Sequence, residues 1–139
     1  MFRTIAIAAI VSLAAGAASA ASIHYAATLK GPDEVPANAT TGTGKVSATL
    51  DTTKKTLTYT ITYSDLTGPA TMAHFHGPAA PGANAPPIIV VSNPASPIGG
   101  MATLTDAQIS DLQAGKWYFN VHTAAHPSGE IRGQLAPAP

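Results

Sequence analysis

The chain has no cysteine and very little charge: seven Lys and Arg stand against seven Asp and Glu, a tenth of the sequence and no net charge. Without thiols no disulfide can staple the fold, and no thiolate can ligate a metal or attack a substrate. Sparse, balanced charge leaves no basic stripe for nucleic acid and no polybasic patch for an anionic lipid surface. No apolar run after residue 20 is long enough to span a membrane. Hydrolase signatures are missing as well. There is no Gly-x-Ser-x-Gly elbow, Ser128 beside Gly129 lacks the context of a nucleophile, and Glu130 has no second carboxylate nearby in sequence for glycosidic chemistry.

What is present begins with an export signal. Arg3 is followed by an apolar stretch from Ile5 to Ala18 and the small-residue exit Ala18, Ser19, Ala20, which predicts a signal peptide over 1–20 and a secreted or periplasmic mature chain. The remainder, 21–139 with a core at about 23–136, is enough for one ordinary domain and too short for two.

Along that remainder apolar and polar residues alternate with the period of half-buried strands. The clearest run is Leu57 to Ser64, where Leu57, Tyr59, Ile61 and Tyr63 face one way and Thr58, Thr60, Thr62 and Ser64 the other. Similar patterns predict strands near Ile23 to Leu29, Lys45 to Leu50, Thr71 to His76, Ile88 to Val91, Met101 to Leu104, Trp117 to Thr123 and Glu130 to Leu135. Turn and loop residues punctuate them, among them the runs Gly77 to Pro87 and Pro94 to Gly100; the first reads as a long surface loop. One short crossover helix is expected near 105–114, with Thr105 and Gln108 at capping-box spacing and Gly115 placed to end it. The fold class that follows is all-β, an antiparallel β-sandwich of immunoglobulin-like general shape.

Three stretches, LTYTITYSDLTGPATMAHFHG (57–77), AGKWYFNVHT (114–123) and GEIRGQ (129–134), together resemble the CHRD family, named for the repeats of chordin. LKGPDEVPANAT (29–40) is similar to the family's opening strand and loop. The resemblance implies an exported β-sandwich whose biochemical role is mostly unassigned. It marks His74, His76, His122, Glu130 and Arg132 as the recurring polar positions. His126 departs from the pattern, since relatives commonly carry asparagine before the proline of that loop.

In a strand, residues two apart share a face at roughly 6.5 Å, so His74 and His76 project to one side and Phe75 to the other. On the later strand His122 shares the more polar face with Asn120 and Tyr118. Were the two strands neighbours, three imidazoles would meet in a cysteine-free ligand set suited to copper(II) or zinc. Glu130 and Arg132 share a face of the last strand. One reading makes Glu130 a carboxylate that orients an imidazole and Arg132 an anion contact, with His126 as a further supporting residue; the other makes the two an unimportant surface pair. Asp33 and Glu34 form too poor a cluster for calcium and read as solvent-facing acids.

Three functions remain open at this level. The first is an exported binding domain that takes up copper or zinc or presents its loops to an unidentified protein or envelope partner. The second is a structural or adhesive module whose histidines are internal hydrogen-bond braces. The third is a copper-dependent redox enzyme, which would need an open coordination position.

Overall fold

The computed structural model describes residues 21–139, so the expected signal peptide over 1–20 lies outside the described residues. The described chain forms β1 (Ser22–Lys30), a 3-10 turn at Gly31–Asp33, β2 (Thr43–Asp51), β3 (Thr56–Ser64), β4 (Ala70–His76), β5 (Pro87–Val90), β6 (Ile98–Thr103), helix α1 (Asp106–Gln113), β7 (Tyr118–Thr123), β8 (Ile131–Gln134) and β9 (Ala136–Pro137). No described helix is long and apolar enough to cross a membrane.

Alternation sets the strands and the core sets their register. In the longest antiparallel pairs Tyr25 lies opposite Ala48 and Ala48 opposite Tyr59, while Val46 meets Ile61 and Leu50 meets Leu57. All of these are buried, and a slip of one residue would turn the whole row outward. The strands join in one sheet of order β5-β4-β7-β8-β1-β2-β3-β6, with β9 on β1. The sheet curls on itself until β4 faces β3 across the core. Phe75 of β4 lies 5.0 Å from the Tyr59 ring and 4.7 Å from Phe119, centroid to centroid. Each such fully buried aromatic contributes roughly 1.5–3 kcal/mol by leaving water. The fold is therefore the expected antiparallel all-β sandwich in a nearly closed, barrel-like form, whose two layers are halves of one sheet.

The corner between the halves is where Lys30 of β1 meets Arg132 of β8. Gly133 makes that approach possible: a Cβ there would run into the backbone of Thr28. α1 begins with the expected capping box, Gln108 N donating to Thr105 Oγ1 and Thr105 N to Gln108 Oε1. It ends at Gly115, whose φ of +73° suits glycine. Leu112 pins the helix to the core.

Two expectations need correction. The stretch Pro94 to Gly100 is not all loop: Ile98, Gly99 and Gly100 open β6, where Ile98 pairs with Ile61 and Gly100 with Tyr59. Glycines weaken a strand signal in sequence, but hydrogen bonding to β3 and burial of Ile98 outweigh that here. Acid by acid, Asp33 is exposed beside Lys30 at 3.8 Å, whereas Glu34 is buried, against the solvent-facing expectation.

Candidate metal centre

β4 and β7 are neighbours, and their pairing places His74 opposite Asn120, His76 opposite Tyr118 and Met72 opposite His122. Ala73, Phe75, Phe119 and Val121 point into the core, which fixes the register and sends the alternate residues to the outer face. His122 is thus diagonal to His74, within reach on a pleated surface. One ring nitrogen from each of His74, His76 and His122 lies within 4.8 Å of the others, and all three residues are buried, at 7 % exposure each.

Backbone carbonyls set two of the three tautomers. His76 Nδ1 is 2.8 Å from the Ala85 carbonyl oxygen, and His122 Nδ1 is 2.9 Å from that of Pro127. A carbonyl only accepts, so both Nδ1 atoms carry the proton, and in neutral rings both Nε2 atoms present lone pairs. These point inward, where His122 Nε2 lies 3.3 Å from His74 Nδ1. Burial, reinforced by His122 and His76, pushes the His74 imidazole down to about 4. His76 is also lowered, by burial first and then by His122 and Arg132, against the upward pull of the Ala85 carbonyl and the Asn120 side chain. Converging ring nitrogens, with His74 and His76 disfavoured from taking up a proton by burial, are suited to holding a cation.

The proline-rich segment 77–86 roofs this face. Tyr118 stacks on His76 at 4.7 Å with rings 3° from parallel, and its hydroxyl accepts from Ala85 N at 3.1 Å. Arg132 in turn lies over the Tyr118 ring, 3.4 Å from guanidinium carbon to centroid. It donates to Asn84 Oδ1 at 2.9 Å and to the Ala83 carbonyl. The expected surface loop is thus tied down over the imidazoles.

The other residues singled out in the sequence fall elsewhere. Glu130 does not orient an imidazole. Its carboxylate accepts from Thr40 Oγ1 at 2.7 Å, Thr67 N at 2.9 Å and Thr67 Oγ1 at 3.1 Å, pinning two loops to the end of β8. Arg132 is a roof anchor with backbone and amide partners, where an anion contact was expected. Neither is a surface residue, since both are almost wholly buried. His126 stays outside the trio; its backbone closes the turn to Thr123.

Asn120, expected on the face of His122, and Glu34, expected as a solvent-facing acid, complete the surroundings. Asn120 Oδ1 lies 2.9 Å from His76 Nε2 and 3.0 Å from His122 Nε2. Glu34 sits behind it, with Oε1 buried and without a hydrogen-bond partner. Burial pushes its carboxyl up to about 7, against the lowering influence of Asn120 and Arg132. Gly129, at φ +123°, keeps this spot open, because a Cβ there would collide with both the Glu34 carboxyl and the Asn120 amide. Asn120 was within reach of sequence reasoning, since it alternates with His122 on one face. Glu34 carried no signal, being one acid in a loop.

Compared with known proteins, the chain matches the family model for the CHRD domain over residues 25–135. No curated protein and no solved structure matches it.

Proposed function

The chain belongs to the CHRD family, and from that premise we propose that it is an exported binding module that holds copper or zinc on His74, His76 and His122. One observation carries the reading: two buried imidazoles, each fixed by a backbone carbonyl, turn their lone pairs toward one another and toward a third ring nitrogen. Buried acceptors that face one another without a donor are costly, on the order of 1–3 kcal/mol each. A cation at their centre removes that cost and gains three bonds of about 2.0–2.1 Å. Carbonyl-bound Nδ1 atoms are also the outer support that orients imidazole ligands in metal sites. Export is supported by residues 1–20 as a sequence pattern.

A second reading has an observation of its own in favour. His74 Nδ1 can donate to His122 Nε2, and the Asn120 amide, turned to present its NH2 group, can donate to His76 Nε2, so the cluster also works as a brace in a structural module. His76→Ala separates the two. A metal site loses its bound zinc or copper, read by elemental analysis after dialysis, while the circular dichroism of the fold persists. A brace loses thermal stability with no metal to lose, and equal metal content in variant and wild type rejects the metal reading.

A further inference from the structure

The imidazole trio leaves one corner of the site to Asn120, which is 3 % exposed and lies between the two carbonyl-fixed rings. With both Nδ1 protons committed to Ala85 and Pro127, neither Nε2 has a hydrogen to give to Asn120 Oδ1. Between two neutral rings, an oxygen held 2.9 and 3.0 Å from their lone pairs is unfavourable, and a cation among the three relieves it. Otherwise the amide must turn end for end and offer its NH2 group to both rings.

Three separations are close to what the first case requires, the imidazole nitrogens as a set lie within 4.8 Å and would draw in around an ion, and the two Asn120 contacts have ordinary hydrogen-bond lengths as well. Ligands at about 2.0–2.1 Å in a tetrahedron stand roughly 3.3 Å from each other. His74 Nδ1 and His122 Nε2 are 3.3 Å apart, and the two Asn120 contacts are slightly shorter edges of the same figure. The far side of the amide is prepared too. Glu34 Oε1 is buried without a partner. Gly129 leaves open the gap in which that oxygen and Asn120 Nδ2 approach each other. With Oδ1 turned to an ion, Nδ2 faces an acceptor that has no other use.

We propose that Asn120 is the fourth donor of the metal centre, its Oδ1 closing a three-nitrogen, one-oxygen set that favours zinc(II) or copper(II) over copper(I). This rests on the metal reading given above. Its chemistry follows from donor type: an amide oxygen is a hard ligand, and the site holds no thiolate or thioether to favour the softer ion. Its functional consequence follows from coordination number. Four protein donors in a buried, roofed site leave no open position for substrate, so the centre holds its ion rather than turning over a reaction on it.

The test uses zinc(II) and copper(I) as probes, each titrated against a competing chelator. Asn120→Leu is expected to weaken zinc binding about 10- to 100-fold, the range seen even for groups one layer outside a metal's ligands, and to change copper(I) binding only a few-fold. In wild-type protein the Asn120 side-chain carbonyl carbon should shift on zinc addition by NMR while its NH2 protons remain visible. That second measurement stands whether or not the leucine variant folds. Undiminished zinc affinity in Asn120→Leu, or an unmoved Asn120 carbonyl carbon in zinc-loaded wild type, overturns the assignment; the metal reading then survives as long as His76→Ala still abolishes uptake. Wild type that takes up no zinc removes both.

Discussion

At the residue scale the two buried glutamates behave oppositely. The Glu34 carboxyl, raised to about 7 by burial, stays protonated in the folded chain after the unfolded chain has lost its proton. Its contribution to stability is fully present below the unfolded value near 4.5 and is lost as pH rises through about 7. Glu34→Gln in metal-free protein should therefore be more stable than wild type at pH 8, by on the order of 2–3 kcal/mol, and nearly equal to it at pH 4. Burial also pushes Glu130 up, but the hydrogen bonds from Thr40, Thr67 and Thr123 outweigh it and hold the carboxyl below its usual range. Its stabilisation is present above the unfolded value and lost as pH falls through the lowered folded one. Glu130→Gln should cost about 1.5–3 kcal/mol at neutral pH, the worth of hydrogen bonds to a charged group, with the deficit shrinking in acid. Urea unfolding from about pH 2 to about pH 8 checks both, and parallel curves for the two variants would contradict them. The imidazoles were legible in sequence because period-two alternation fixes which side chains share a face. The glutamates were not: Glu34 reaches Asn120, and Glu130 reaches Thr40 and Thr67, only through loop paths that no periodicity encodes.

At the scale of elements, strand pairing does most of the positioning and the roof loop does the covering. Seven strands and the capping box of α1 could be read closely from alternation and spacing, whereas β6 lost its opening to two glycines whose strand character comes only from pairing with β3. The neighbourhood of β4 and β7, on which the site depends, was open in sequence, since pairing partners are chosen by the whole sheet. Segment 77–86 was placed as a loop, but its attachment to Arg132, Tyr118 and His76 was not visible. Arg132→Met keeps much of the side-chain volume and removes the donors to Ala83 and Asn84. Amide hydrogen exchange should accelerate in residues 79–86 while β1–β3 keep their protection, and stability should fall by about 1.5–3 kcal/mol, the worth of hydrogen bonds from a charged group. Unchanged exchange in the segment would mean that Arg132 does not anchor the roof.

At the scale of the whole molecule, a cysteine-free sandwich with few charges relies on packing, and binding to the folded state adds to that through mass action. Zinc at about 100 times its dissociation constant should stabilise the protein by roughly 2.7 kcal/mol, with a corresponding rise in Tm that EDTA reverses. The most direct measurement is a calorimetric titration of zinc(II) into metal-free wild type and His76→Ala side by side. A saturable isotherm with one ion per chain in wild type and none in the variant is the expected result. Identical isotherms in the two, or no saturable binding in wild type, would contradict a metal centre on His74, His76 and His122.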